Sequence, residues 1–290
     1  PASTTDPFVL VVEGAVQVSS AGGAWDKTGA APWCSIGMAE DPASHGEHEF
    51  DDVVATLAGR PDCLATIAIG QCACFGGYPG CVSPEFGESQ SPAYGVHDFL
   101  TSTLNSLTPD ERTRAGNRVV NVPGCPTNPW WFVLTVVLWV AEAANGPLKS
   151  TPVAGPLGIL GSDFAVVGGV DSQRRLKAVY GPSIHGPSCP RYKYAFPNWN
   201  GPGTAAKYAS YPGDIGCLAL IGCKGNSTNS LCALHGWNAQ QPHNNTAWDQ
   251  GLAQIQGSIQ GGFCVAGGYP CMGCTEKGYP DAYVPFITQR

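Results

Sequence analysis

The chain has 290 residues, with 15 Lys and Arg against 22 Asp and Glu, so its formal net charge is −7. That charge, together with the lack of a Lys/Arg run, argues against nucleic-acid binding. Only 13% of residues are charged, whereas 43% are hydrophobic. This composition predicts one or two domains with ample cores and a surface that a partner protein covers in part. No apolar stretch is long enough to predict a membrane-spanning helix.

The first predicted strand lies close to the start of the sequence. The run Phe8-Val-Leu-Val-Val-Glu13-Gly14 is continuously apolar and ends in a carboxylate, as in a buried parallel strand whose carboxyl end opens onto a site. Glu13 is therefore a candidate site residue, and the alternative is a strand-end carboxylate in contact with water. The residues before it resemble neither a signal peptide nor a transit peptide. Because the strand has almost no lead-in, we expect that an upstream segment is missing from this sequence.

Strands and helices alternate through the first half, which predicts βαβ units and a parallel sheet. Cys72 follows one predicted strand and Cys125 follows the next. Since parallel strands place their sites at their carboxyl ends, both thiols are candidate ligands. The predicted elements are a helix over 47–57, a strand over 63–70, a loop over 71–77, a helix over 96–107, a turn over 108–110 and a strand over 118–122.

The other cysteines of this half give weaker signals. Cys63 lies inside a predicted strand and is predicted to be part of the core, whereas Cys34, in a predicted loop, is predicted to be packed. Cys74 and Cys81 fit either a core or a ligand. A further helix is predicted over 130–144, with Asn128 and Pro129 as its N-terminal residues. It is apolar on nearly all sides, which favours a buried or subunit-facing helix.

The second half is organised around thiols. Six of the chain's 13 cysteines lie between Gly216 and Asp281, among many glycines and prolines. His185 and Cys189 precede them in a loop rich in proline and glycine, where a histidine so close to a cysteine favours ligation. We expect little regular structure here, because bound clusters would replace hydrophobic packing.

Three chemistries fit such a density of thiols. A disulfide scaffold is typical of short secreted chains, and this chain is long and has an odd number of cysteines. Structural zinc normally uses two paired motifs, but Cys271-x-x-Cys274 has no second Cys-x-x-Cys. Iron–sulfur ligation tolerates irregular spacing and neighbouring proline or glycine. The residues therefore favour iron–sulfur clusters, while the other two chemistries stay open.

Several motifs in order resemble those of the small, electron-transferring subunit of nickel–iron hydrogenases. The matching motifs are Val-Glu-Gly at 12–14, Ile-Gly-x-Cys-Ala at 69–73, Asn-Val-Pro-Gly-Cys-Pro at 121–126, Ile-His at 184–185, Gly-Cys-Lys-Gly at 222–225 and Gly-x-Pro-Cys-x-Gly-Cys-x-Glu at 268–276. The resemblance implies a flavodoxin-like α/β domain over 1–150 whose first strand is missing. It also implies an irregular cluster-binding domain over 151–290.

The resemblance implies ligands for three clusters. Cys72 and Cys125 match two ligands of a proximal four-iron cluster, whose other two ligands would lie in the missing upstream segment. Cys264 stands where the family often has proline and is a candidate fourth ligand of the medial cluster, which would then hold four irons in place of three. Gly77 stands where oxygen-tolerant members carry an extra thiol. The distal four-iron ligands are His185, Cys189, Cys217 and Cys223, and the medial ligands are Cys232, Cys271 and Cys274.

By this resemblance the chain relays electrons from H2, which is oxidised at a nickel–iron centre on a large-subunit partner. It contains no catalytic residue of its own. The implied partners are that large subunit, an acceptor protein or quinone, and further copies of the heterodimer. The implied location is the cytoplasm or the membrane periphery, with export left open. The alternative is the iron–sulfur subunit of another complex, such as a cofactor-reducing hydrogenase or a quinone-linked assembly.

Overall fold

The computed structural model describes residues 6–18, 34–36, 48–80, 93–143, 170–187, 189–233, 264–265 and 268–280. These residues form two compact units. The first unit contains the described residues up to 143 together with 170–176 and 277–280, and the second contains those between 177 and 276. The domain boundary predicted near residue 150 lies outside the described residues.

The first unit holds nearly all of the regular structure. Its elements are β1 (Phe8–Glu13), β2 (Val16–Gln17), β3 (Ser35–Ile36), β4 (His48–Glu49), α1 (Phe50–Gly59), β5 (Cys63–Ile69), α2 (Gly70–Phe75), α3 (Gly77–Gly80), β6 (Ala93–Tyr94), α4 (Val96–Thr101), α5 (Pro109–Asn117), β7 (Val119–Val122) and α6 (Pro129–Ala143).

Three of these strands form a parallel sheet in the order β1-β5-β7. The register pairs Glu13 with Ile69, and Ile69 with Val122, so the three strands end at one edge. The predicted α/β class with a parallel sheet is confirmed. Two short antiparallel pairs, β2 with β6 and β3 with β4, accompany the sheet.

One apolar core joins the sheet to α1, α4 and α5. It contains Val12 of β1, Val54 of α1 and Phe99 of α4, each at most 3% exposed. Burying a side chain such as Phe99 contributes roughly 1.5–3 kcal/mol. This core holds the strands in register and so fixes where the loops at their carboxyl ends begin.

The structure corrects the helix predicted over 96–107, because α4 ends at Thr101. Ser102 and Asn105 donate side-chain hydrogen bonds to the Phe99 carbonyl at 2.8 and 2.7 Å. These polar side chains compete with helical hydrogen bonding and end the helix.

The turn predicted over 108–110 is also wrong, since Pro109 begins α5. Thr108 is the N-cap, and its hydroxyl accepts the Glu111 N–H while the Glu111 carboxylate accepts the Thr108 N–H. This capping box, with Pro109 at the first helical position, is a helix-start signal present in the sequence.

The helix predicted over 130–144 is present as α6. Its start follows the predicted chemistry, because the Asn128 side-chain oxygen accepts the Trp130 N–H at 3.0 Å. Trp131 is buried, whereas Trp130, Val133 and Val137 are exposed by 39–46%. No helix in the described part of the chain is long and apolar enough to cross a membrane.

The described part of the second unit is mostly irregular, as predicted. Among its described residues, the helical pieces are α7 (Lys177–Tyr180) and short 3₁₀ turns at Tyr192–Ala195, Leu218–Ile221, Gly225–Ser227 and Leu231–Ala233. Its apolar cluster combines Ile184, Leu218 and Val265 with the side chains of four cysteines. Those cysteines are Cys189, Cys223, Cys232 and Cys271. Thiols therefore occupy the positions that aliphatic side chains fill in an ordinary core.

Candidate functional site

The carboxyl edge of the sheet brings Cys72 and Cys125 close together. Cys72 lies on α2, which corrects the predicted loop, and Cys125 follows β7 after the buried Pro123 and Gly124. The Gln71 N–H donates to the Gly124 carbonyl at 3.0 Å and ties the two segments together. Burial raises the pKa of Cys72, and the nearby Cys125 thiol raises it further. The first unit thus presents two neighbouring thiols, both exposed, at the edge where a site was predicted.

Gly77 lies directly against this pair. A Cβ atom at Gly77 would stand 2.5 Å from the Cys72 sulfur, and the backbone there has φ of +64°. A side chain at Gly77 would therefore point at the sulfur and displace it. Glu13, at the end of β1, is exposed at the same edge of the sheet.

The remaining thiols of the first unit are of three kinds. Cys63 is buried, as predicted, with its sulfur 3.4 Å from the Ala65 carbonyl oxygen. Cys74 is also core, with its sulfur 3.2 Å from the Ala68 carbonyl oxygen. Cys34 is exposed, so its predicted packing is wrong, because its segment forms only the two-residue strand β3. Cys81 lies outside the described residues.

His185 and three cysteines converge in the second unit. The Cys217 sulfur lies 3.8 Å from His185 Nε2. Burial raises the pKa of Cys189, and the nearby Cys223 and Cys217 thiols raise it further. Burial and the Cys217 thiol likewise raise the pKa of Cys223. The mutual influence of these thiols means that all four side chains predicted as the distal set face a common region.

Backbone amides are directed at this region as well. The Cys271 N–H donates to the Cys223 sulfur at 3.3 Å, and the Lys224 N–H donates to the Cys271 carbonyl at 2.8 Å. Hydrogen bonds to sulfur are one means by which proteins tune iron–sulfur clusters. The two hydrogen bonds described here also place Cys271, from the predicted medial set, next to Cys223 of the predicted distal set.

The predicted medial thiols lie in and around the same thiol-rich core. Burial raises the pKa of Cys271 well above its usual range, with further contributions from Cys223 and Cys274. Cys232 packs against the cluster that contains Cys271. Cys264 has a left-handed backbone, with φ of +45°. Burial and the nearby Cys223 raise the pKa of Cys264 to about 11.

Two polar clamps of the second unit escaped the sequence-based prediction. The Arg191 guanidinium donates to the carbonyls of Val265 (3.0 Å), Asp214 (2.6 Å) and Gly216 (2.9 Å). Arg191 thereby joins its own segment, which follows Cys189, to the segment before Cys217 and to the residue after Cys264. Its position two residues after Cys189 was the only available signal.

The second clamp is formed by the two residues after Cys274 and holds the backbone of one residue. The Thr275 hydroxyl donates to the Asn229 carbonyl at 3.2 Å, and the buried Glu276 carboxylate accepts the Asn229 N–H at 2.7 Å. Both polar backbone groups of Asn229 are therefore satisfied by adjacent side chains. The clamp fixes the segment before Cys232 relative to the Cys271-x-x-Cys274 loop.

The donor set fits iron–sulfur clusters better than a single metal ion. Among the described residues, no three His, Cys, Asp or Glu side chains are close enough together to hold one ion. No disulfide bond joins any of the twelve cysteines that the structure describes. Thiolate ligands of a cluster bind separate irons bridged by sulfide, so they are spaced more widely than the ligands of one zinc ion.

The comparisons with known proteins identify the family of the chain. The family model described as NADH ubiquinone oxidoreductase, 20 Kd subunit, matches residues 2–139. The periplasmic [NiFeSe] hydrogenase small subunit of Desulfomicrobium baculatum is 30% identical over 96% of this chain and 66% of its own length. A solved structure of the [NiFeSe] hydrogenase from that organism matches with a TM-score of 0.62 and 27% identity, over 98% of this chain and 76% of the other. The chain belongs to the family of nickel–iron hydrogenase small subunits.

The small subunit of another hydrogenase is also similar to this small subunit. The F420 non-reducing hydrogenase II small subunit of Methanosarcina mazei is 25% identical over 84% of this chain and 50% of its own length. The chain spans half to about two thirds of the length of the curated relatives that it matches. Family membership is thereby established, while the ligand assignments of individual residues stay predictions.

Proposed function

We propose that this small subunit relays electrons in a nickel–iron hydrogenase that oxidises H2. Each H2 molecule, split on the large-subunit partner, yields two protons and two electrons, and the electrons leave through this chain. Iron–sulfur clusters, when bound, take up and release electrons one at a time. The convergence of His185, Cys189, Cys217 and Cys223 in a core built of thiols is the observation that carries the proposal.

The chain's residues would hold three clusters in series. Cys72 and Cys125 supply two ligands of a proximal four-iron site. Cys232, Cys271 and Cys274 hold the medial cluster, and the His185 set holds the distal one. Burial keeps water away from the sulfurs of Cys189, Cys217 and Cys271, and the Cys271 amide stabilises negative charge on Cys223.

The stoichiometry of metal and sulfide in the anaerobically purified complex tests this proposal. We expect one nickel and roughly eleven or twelve cluster irons per small subunit, beyond the one iron of the nickel–iron centre. About seven or eight cluster irons would mean that the proximal site is empty. Since the proximal site comes first in the relay, that result would contradict hydrogen oxidation by this form.

The medial cluster holds four irons if Cys264 is a ligand and three if it is not. Substitution of Cys264 by alanine tests this role. If Cys264 is a ligand, the Cys264→Ala complex should lose about one iron and gain the electron paramagnetic resonance signal of an oxidised three-iron cluster. Cys63→Ala, at a buried thiol of the other unit, is the matched control. An unchanged iron count and spectrum would mean that Cys264 is a spectator and the medial cluster holds three irons.

A second candidate function rests on the family model, whose description names a NADH ubiquinone oxidoreductase subunit. In that case the chain would relay electrons within a quinone-linked or cofactor-reducing complex. Copurification of nickel with the complex would exclude the nickel-free forms of this alternative.

Cell fractionation of the complex would separate a cytoplasmic or membrane-peripheral location from the periplasmic one that two relatives' names state.

A further inference from the structure

A continuous chain of aromatic contacts leads from His185 to solvent. The His185 ring meets the Tyr192 ring edge-on, with centroids 5.1 Å apart, and Tyr192 meets Phe196 in the same way at 4.8 Å. Phe196 is 45% exposed. The predicted distal ligand is therefore two ring contacts away from an exposed aromatic side chain.

Two exposed lysines contact Tyr194, which lies between Tyr192 and Phe196 in the sequence. The Lys193 ammonium is 5.1 Å from the centroid of the Tyr194 ring. The Lys207 N–H donates to the Tyr194 carbonyl at 2.8 Å, and the Lys207 carbonyl accepts the Cys217 N–H at 2.9 Å. Lys207 is thus one backbone hydrogen bond from a predicted distal ligand, and the next residue, Tyr208, is 39% exposed.

The charge of this part of the chain is opposite to that of the whole. Residues 177–233 contain five Lys and Arg and one acidic residue, a net +4, whereas the rest of the chain carries −11. The single acidic residue, Asp214, accepts hydrogen bonds from the N–H groups of Ser210 and Ile215. Lys224 is buried and Arg191 is directed at carbonyls, so Lys193 and Lys207 supply exposed charge close to the ring chain.

We propose that Lys193, Phe196, Lys207 and Tyr208 form an exit surface on which an acidic one-electron carrier protein docks. The distal cluster, when bound, would supply electrons one at a time, so each docked carrier would be reduced by one electron with no bond made or broken. The apolar rings provide the contact and the lysines attract the carrier, which is the division of roles found in transient interfaces. The inference rests on the proposed function, because it takes His185 as a distal ligand.

Charge reversal in the anaerobic holocomplex tests the exit surface. The probes are an acidic plant-type [2Fe–2S] ferredoxin and the basic mitochondrial cytochrome c, and the dissociation constant of each is measured at low and at moderate salt. We expect the parent to bind ferredoxin more tightly than cytochrome c, and more weakly as salt rises. Lys193→Glu with Lys207→Glu should weaken ferredoxin binding at least tenfold and strengthen cytochrome c binding.

Two further variants separate this surface from general effects of charge. Lys177→Glu reverses one charge in the same segment but outside the exit surface, which is half the charge change of the double reversal, and should alter ferredoxin binding less than twofold. Phe196→Ala removes the exposed ring at the end of the chain and no charge, and should weaken binding at both salt concentrations. The proposal is overturned if the double reversal leaves ferredoxin binding unchanged, if Lys177→Glu weakens it equally, or if the double reversal instead dissociates a dimer of the complex.

Reduction of benzyl viologen under H2 keeps the two proposals distinguishable. This small acceptor needs no protein docking surface, so all four proteins should reduce it at the parent rate. Failure of the parent itself to reduce it contradicts the proposed function, while the binding measurements still report on the surface. If the double reversal reduces viologen at the parent rate and binds ferredoxin as tightly as the parent does, the exit surface is contradicted and the proposed function is not.

Discussion

At the scale of single residues, His185 differs from its three predicted partners in charge. As cluster ligands, Cys189, Cys217 and Cys223 each carry a negative charge, whereas an imidazole is neutral. Replacing a thiolate by histidine makes the bound cluster less negative and easier to reduce, as in centres where histidine replaces cysteine. A higher potential at the last site of a relay draws electrons toward the exit.

The substitution His185→Cys should therefore lower the midpoint potential of the distal cluster, by on the order of 100 mV. The potential is measured by redox titration followed by electron paramagnetic resonance, and transfer to an external acceptor should become slower. His97→Cys, in α4 of the first unit, is the matched control and should leave the potential where it was. An unchanged distal potential in His185→Cys would argue that His185 is not a ligand.

The sequence predicted the candidate ligands but not the groups that position them. Thiols can be recognised by type and spacing, and the resemblance sorts them into sets. Arg191 and Glu276 act through backbone carbonyl and amide groups far away along the chain. The tertiary fold determines such partners, so no local sequence pattern could have predicted them. The structure also places Cys223 beside Cys271, a closeness between two sets that spacing does not predict.

At the scale of elements, the sequence predicted the sheet better than the helices. Apolar runs mark the strands β1, β5 and β7. The predicted boundaries of such a strand therefore differ from the observed ones by only about a residue. Helix ends depend on side-chain competition for backbone hydrogen bonds, as the early end of α4 shows. The start of α5 was missed because a proline after threonine also fits a turn.

The first turn of α1 makes stability depend on pH. Burial, and then the charges of Asp52 and Glu49, raise the pKa of Asp51 from 3.8 to about 6. The folded state therefore holds the Asp51 proton more tightly than the unfolded state. The free energy of unfolding should fall as pH rises from about 4 to 6 and stay low above that window.

Asp51→Asn removes this charge and keeps an oxygen that can accept the Asp52 N–H. We expect the variant complex to be more stable than the parent at pH 8, by up to about 3 kcal/mol, and to show a smaller gain at pH 5. Thermal unfolding midpoints at the two pH values measure this. Asp52→Asn, at the exposed neighbour, should give a smaller gain. Equal midpoints of Asp51→Asn and the parent at pH 8 would contradict the argument.

At the scale of the whole molecule, each of the two units is stabilised by a different kind of core. The first unit packs aliphatic and aromatic side chains between a sheet and helices, as an ordinary α/β domain does. The second unit has few regular elements among its described residues, and four cysteine side chains contribute to its apolar cluster. In a protein whose core contains metal ligands, the free energy of metal binding is part of the free energy of folding.

Removal of iron should therefore loosen the two units unequally. We expect anaerobic chelation to reduce amide-exchange protection strongly at Ala209, Cys217, Lys224 and Asn229, whose N–H groups hold the cluster-binding segments in place. The strands β5 and β7 should keep their protection, because their hydrogen bonds depend on an apolar core. Hydrogen exchange of the complex, followed by mass spectrometry of its peptides, separates the two responses. Adding back ferrous iron and sulfide should restore protection in the second unit, and equal loss across both units would show that the clusters do not support the second unit selectively.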